Sequence, residues 1–218
     1  MRILWILALL APLTAWSATT TELGFGGSLD WRRVDWQYQG ASGPVTNHVR
    51  TLGISLDEPV YRQLRWGFAL GLAEGTQTNN LANPGAEFSG QYADVHLRGP
   101  LWSSEYLDLM LGASYGYYSM DADENDQAAK LRWNEAQGRL GLRFKLGAWR
   151  LEGGVYQWRQ DGEYTIAGKG GTTTDLNPDW QTGGYAGLSL YTDPTGYVRV
   201  EVTRGDLDAT TIRFVREF

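Results

Sequence analysis

The chain has 218 residues, no cysteine and a formal net charge of −6, with 28 glycines and 13% aromatic residues. This length fits one domain, and the absence of cysteine excludes a disulfide framework, so backbone hydrogen bonds and packing must stabilise the fold. The acidic balance and the lack of basic runs argue against a nucleic-acid partner.

The first 18 residues have the pattern of an export signal. Arg2 precedes an apolar run at 3–13, and small residues follow it up to Ala18. This run is shorter than the roughly 20 residues that cross a bilayer as a helix, which argues against a retained anchor. We therefore expect residues 1–18 to be cleaved and residues 19–218 to form one mature domain.

Period-two alternation runs through most of the mature chain and indicates β-strands with two different faces. From Leu107 to Tyr117, leucine, alanine and tyrosine alternate with residues that are mostly small or polar. Turn residues divide the chain into about ten strands, with eight as the alternative. The ten predicted strands are 22–38, 47–57, 63–74, 87–99, 105–118, 131–145, 148–160, 180–192, 196–204 and 208–218.

The polar face of these strands predicts an enclosed interior. In a soluble sandwich the polar face meets water and tolerates long lysines and glutamates, whereas here it is rich in Gly, Ser, Ala and Tyr. A narrow lumen requires such limited bulk. Because no later stretch is long and apolar enough for a membrane helix, the fold class that we predict is all-β, a closed antiparallel up-and-down transmembrane β-barrel.

Aromatic residues gather near the predicted strand ends, as in the two interfacial belts of a membrane barrel. The predicted interface residues are Trp31, Trp36, Trp66, Tyr117, Trp133, Trp149, Trp158 and Trp180.

The predicted links are short and long in rough alternation, which is typical of periplasmic turns and extracellular loops. The long links are 79–86, 119–130 and 161–179. Part of the second, Asp121–Asp126, begins like a calcium loop, yet it lacks the glycine and the final glutamate that an EF-hand requires. No metal and no other cofactor is predicted.

The last strand places Ile212 and Phe214 on its apolar face and ends in Phe218. This pattern resembles the C-terminal targeting strand of Gram-negative outer-membrane β-barrel proteins, although Arg216 stands where those proteins usually have an apolar residue. The resemblance implies a location in the cell outer membrane and insertion by the barrel-assembly machinery. It also implies contact with outer-membrane lipid and lipopolysaccharide, and we expect a monomer.

If the apolar face meets lipid, the lumen receives charges of both signs in nearly equal number. Such charges should form pairs, because one unpartnered charge in a confined site costs several kcal/mol, about 3–5. The predicted lumen network comprises Asp94, His96, Arg98, Asp108, Arg139, Arg143, Glu152, Arg199, Glu201 and Arg213.

Asp94 and His96 form the nearest approach to a catalytic pair, since both face inward two residues apart. The pair resembles the Asp-x-His pair of the omptin outer-membrane proteases, which also have ten strands. Those enzymes carry it late in the chain with a second acidic pair opposite, and no such partner is evident here. We therefore favour a structural or loop-mediated interaction barrel with a narrow, charge-paired lumen, and not an enzyme. The alternatives are a small-solute channel and a surface hydrolase of omptin or lipid A-modifying type.

Overall fold

The computed structural model describes residues 23–39, 43–61, 63–79, 85–124, 127–166, 171–176 and 179–218. The predicted export signal lies outside these residues. In this part of the chain no helix is long and apolar enough to cross a membrane.

The described residues form strands almost throughout, because alternating side chains can pack on two faces. The strands are β1 Gly24–Trp36, β2 Val45–Tyr61, β3 Leu64–Thr78, β4 Glu87–Ser103, β5 Leu107–Glu124, β6 Gln127–Leu146, β7 Trp149–Ile166, β8 Thr172–Asp175, β9 Trp180–Asp193, β10 Gly196–Gly205 and β11 Leu207–Glu217.

These strands close into an antiparallel barrel. Each strand from β1 to β7 pairs with the next, β7 pairs with β9, and β9 to β11 pair in order. Pairing between β1 and β11 completes the ring, so ten described strands form the wall and leave no open edge. Strand β8 lies outside the ring and pairs with the last residues of β7. The predicted closed barrel of ten strands is confirmed.

The two ends of the barrel differ. At one end, here called the turn end, short links join β2 to β3, β4 to β5, β6 to β7 and β9 to β10. At the other end, here called the loop end, the predicted long link at 119–130 is wrong, because β5 and β6 stay paired up to Glu124 and Gln127. The predicted link at 161–179 is also partly strand, because β7 continues to Ile166 and pairs with β8.

A belt of exposed apolar side chains surrounds the turn-end part of the outer wall, where Ile54 is 72% exposed and Leu72 65%. Exposed apolar surface of this extent is stable only against hydrocarbon. The belt contains Phe25, Leu29, Leu52, Ile54, Phe68, Leu70, Leu72, Val95, Leu140, Leu142, Phe144, Leu151, Val155, Leu188, Val200 and Phe214.

Toward the loop end, the strands continue beyond this belt and their two faces exchange character. On β6, Lys130 and Arg132 point outward while Leu131 and Trp133 are buried inside. We call this part of the barrel the collar; its outward positions include Arg33, Asp35, His48, Arg50, Glu74, Glu87, Asp121, Lys130, Arg132, Asp161, Glu163, Arg204 and Asp208. The collar is therefore built like a water-soluble barrel, with a polar exterior and an apolar interior.

Candidate functional site: the barrel interior

One group of charged side chains surrounds Asp57, which is 1% exposed. The Nε2 atom of His96 lies 2.8 Å from its Oδ1 atom, and the guanidinium of Arg98 donates to its Oδ2 atom at 2.9 Å. The Nδ1 atom of His96 lies 2.8 Å from Oδ1 of Asp94. Strands β2 and β4 therefore hold an imidazole between two carboxylates, and a guanidinium pairs with one of these carboxylates.

A second group surrounds Glu152 of β7 on the opposite wall, where β6 and β10 contribute its charged partners. Arg143 and Arg199 donate to Oε2 of Glu152 at 3.0 and 2.9 Å. Arg199 also donates to Glu201 at 2.6 Å, and Arg139 pairs with the same carboxylate at 2.8 Å. Each carboxylate in this group thus contacts two guanidinium groups, through charge-assisted hydrogen bonds that stabilise both carboxylates.

Further pairs extend the network along the lumen. Asp108 pairs with Lys145 at 2.7 Å near the turn end. Arg32 contacts Asp30 and pairs with Glu135 at 2.7 Å across the middle of the barrel. The structure places all ten predicted network residues on inward-facing positions, including Arg213, which lines the central cavity. The alternation in the sequence predicts an inward position for Asp57, whereas Arg32 and Glu135 were not predicted as members of this network.

Tyrosines fill spaces that inward glycines leave open. The Tyr185 ring lies against Gly141 and Gly154, and its hydroxyl donates to Glu152 at 3.1 Å. A side chain at either glycine would overlap this ring. Tyr92 occupies the same kind of space beside Gly53. The glycine-rich polar face therefore allows large rings to cross a narrow lumen.

A cavity of about 470 Å³ lies among these charged groups. Its lining reaches Gln63 and Pro100 near the turn end and Tyr118 and Leu207 near the collar. Arginine and carboxylate side chains make up much of the wall between these limits, so the free space is polar.

Packed aromatic rings occupy the collar interior, on the loop-end side of this cavity. Trp36 of β1 meets Trp133 of β6, with ring centroids 5.0 Å apart, and Trp133 stacks on Tyr118 at 4.4 Å. Since β1 and β6 lie on opposite walls, this contact spans the barrel. Tyr38 lies 5.7 Å from Tyr164 in the same cluster. We call this cluster the aromatic core; it also contains Val34, Val49, Phe88, Met120, Leu131, Trp158 and Leu176.

Three of the eight residues predicted for the membrane interface lie in the aromatic core instead. Trp36, Trp133 and Trp158 are buried inside the barrel, so their predicted place at the membrane interface is wrong. The physical reason is that their strands continue past the hydrocarbon, where an apolar ring finds burial only in the lumen. The other five predicted residues are exposed on the outer wall: Trp31, Trp66, Tyr117, Trp149 and Trp180. In the last strand Ile212, Phe214 and Phe218 also face outward, as the targeting pattern requires.

The candidate catalytic pair lies inside the lumen, below the aromatic core. Both ring nitrogens of His96 contact carboxylates, those of Asp94 and Asp57, so each nitrogen already has a hydrogen-bond partner within the network. Among the described residues, no group of three metal-ligating side chains could hold an ion. This geometry is that of a buried ion-pair network.

No family model matches the chain, and no curated protein matches it by sequence. Several solved structures match this chain over nearly the whole length of both chains. One is the transport unit of the autotransporter AIDA-I from Escherichia coli, with a TM-score of 0.51 and 8% identity over 97% of this chain and 96% of that chain. Another is the β domain of the Bordetella autotransporter BrkA, with a TM-score of 0.50 and 17% identity over 91% and 100%. The outer membrane protein AlkL matches with a TM-score of 0.50 and 15% identity over 94% of each chain.

At sequence identities of 8% to 17%, the similarity to these structures shows the fold alone. The chain has the fold of Gram-negative outer-membrane β-barrels, which confirms the predicted class. Together with the apolar belt, this fold places the protein in the cell outer membrane, as predicted.

Proposed function

We propose that the protein is a closed, non-conducting outer-membrane barrel with a structural and surface-interaction role. The observation that carries this proposal is the aromatic core, which fills the lumen at the loop end. A stacked Tyr118–Trp133 pair and a Trp36–Trp133 contact across the barrel block the path that a solute would need. Packed interiors of this kind contain few voids larger than a water molecule.

The charge network supports a structural role for the lower lumen. Glu152 and Asp57 are buried. Glu152 accepts hydrogen bonds from Arg143 and Arg199, and Asp57 accepts one from Arg98, so the contacts join β7 to β10 and β2 to β4, which are not neighbours in the barrel. A conducting pore of defined selectivity needs charges that are free to meet the ion. Here most of the charged side chains contact one another, so we assign the network a role in stabilising the barrel wall.

The collar supports a surface-interaction role. Its paired strands extend beyond the belt as rigid β-structure, with β5 and β6 joined up to Glu124 and Gln127 and β8 added beside β7. A rigid platform loses little conformational entropy when a partner binds. We further propose that the chain works as a monomer without a cofactor, that it is inserted by the barrel-assembly machinery through its C-terminal strand, and that it is not an enzyme.

Conductance in planar bilayers tests closure. We expect the wild-type protein to show no stable openings, because the aromatic core seals the lumen. A variant with W36A, Y118A and W133A should open, since it removes the rings that span the barrel. The matched control carries W31A, Y117A and W180A, which removes outward rings only, and it should stay closed.

Stable openings in the wild-type protein would overturn the proposal in favour of the small-solute channel. A triple core variant that folds yet stays closed would show that something other than the aromatic core seals the barrel. Folding of each variant is checked by its heat-modifiable migration on a gel.

A further inference from the structure

The collar carries a group of cationic side chains on its outer face, immediately beyond the apolar belt. Arg33, His48, Arg50 and Arg204 are exposed and line one groove, together with Trp31 and Asp208. None of the three arginines forms an ion pair with any residue that the structure describes. This differs from the lumen, where most guanidinium groups contact carboxylates.

The strand register fixes how these side chains sit relative to the hydrocarbon. Leu29 pairs with Ile212 on one side and with Leu52 on the other, which forms a continuous apolar row. Two residues further toward the loop end, Trp31 lies opposite Arg50. The groove therefore begins where the apolar rows end.

The next row continues the same surface. Arg33 lies opposite His48 on β2 and opposite Asp208 on β11, and Arg204 lines the groove from β10. Asp208 and Glu74, which lies opposite Arg50, are the neighbouring carboxylates. Of these two carboxylates Asp208 lines the groove and Glu74 does not, so three exposed arginines face one carboxylate in the groove lining and leave an excess of positive charge there.

The position of Trp31 indicates the depth of this surface in the membrane. Trp31 is 39% exposed on the outer wall and lies in the first row beyond the apolar row of Leu29. Tryptophan favours the level of the lipid headgroups, and clustered arginines at that level attract anionic headgroups. Arginine matches phosphate in particular, because its planar fork can donate two parallel hydrogen bonds.

We infer that Arg33, Arg50 and Arg204, beside Trp31, form a binding site for the phosphate groups of an outer-leaflet glycolipid such as lipopolysaccharide. Trp31 contacts the boundary between sugar and acyl chain, and the arginines bind the phosphates above it. The site lies on the outer wall, so it is independent of whether the lumen conducts.

The test measures binding of bis-phosphorylated lipid A to the detergent-solubilised barrel by native mass spectrometry. The R33Q/R50Q/R204Q variant should lose roughly 100-fold in affinity, since each arginine at an anionic headgroup contributes about fivefold. The matched control is K130Q/R132Q/R159Q, which removes the same charge from outward positions on β6 and β7, across the barrel. This control should bind like the wild-type protein.

Two further binding measurements identify the chemical group that the site recognises. Dephosphorylated lipid A should bind the wild-type protein as weakly as it binds the first variant, because the recognised group is the phosphate. Inorganic phosphate should not displace lipid A, because Trp31 and the belt contribute to holding the lipid. Equal losses in both triple variants, or equal binding of both forms of lipid A, would overturn the site. Displacement of lipid A by inorganic phosphate would show that the site binds a free anion and not a lipid.

Discussion

Buried carboxylates such as Asp57 and Glu152 are stable in this lumen because side chains from other strands contact them. Asp57 on β2 depends on His96 and Arg98 on β4, at distances of 2.8 and 2.9 Å. Its carboxylate is 1% exposed, so water cannot replace a lost partner. The alternation in the sequence predicts that such residues face inward, but their pairing depends on strand register, which local sequence does not specify.

Removal of the Asp57 side chain therefore tests how much the charge network contributes to the stability of the barrel. The Asp57→Ala variant should lower the free energy of unfolding by about 3–5 kcal/mol, because His96 and Arg98 remain buried without their carboxylate. The measurement is urea unfolding of the protein folded in lipid vesicles. Lys130→Gln is the control; its pair with Asp121 is exposed, with a separation of 3.8 Å, and should contribute less than about 1 kcal/mol. Equal stability of the two variants would contradict the network.

Strand β6 shows that the apolar face of one strand can change from the inside to the outside of the barrel. On β6, the apolar residues Leu131 and Trp133 occupy odd positions, whereas Leu140, Leu142 and Phe144 occupy even positions. The pattern changes its phase between them, yet the backbone alternation continues without interruption. The strand passes from water into hydrocarbon at this point, so the face that must be apolar changes from the inner to the outer one.

This change of phase was readable in the sequence, and it would have placed Trp133 inside the barrel. It would also have identified 119–124 as strand, since Met120 and Ala122 continue the inward apolar series of the collar on β5. Polar outward residues such as Asp121 made this region look like a loop. The aromatic contacts themselves could not be predicted, because they join strands on opposite walls.

Two outward positions on β6 test where the hydrocarbon ends. Leu142→Arg should destabilise the folded barrel by about 2–4 kcal/mol, because it places a cation on the lipid face within the belt. Arg132→Leu lies on the same face in the collar and should change stability by less than about 1 kcal/mol, since water surrounds that position. Vesicle unfolding measures both. If the two variants were equally stable, the belt would not end between these residues.

At the scale of the whole molecule, the two ends of the barrel predict its orientation. The turn end has short links and the collar has long paired strands with charged exteriors, which matches periplasmic and extracellular ends respectively. The chain contains no cysteine, so one introduced thiol is the only site for a maleimide reagent. Asp161 on the collar and Glu105 in the link between β4 and β5 are both exposed and suit this substitution.

Intact cells that express Asp161→Cys should react nearly completely with a polymer-linked maleimide too large to cross the outer membrane. Glu105→Cys should react only after the outer membrane has been permeabilised, because that link faces the periplasm. The two variants share one fold and one reagent, so the difference reports only the side of the membrane. Labelling of Glu105→Cys on intact cells would reverse the orientation and would place the arginine groove in the inner leaflet, away from the phosphorylated glycolipid.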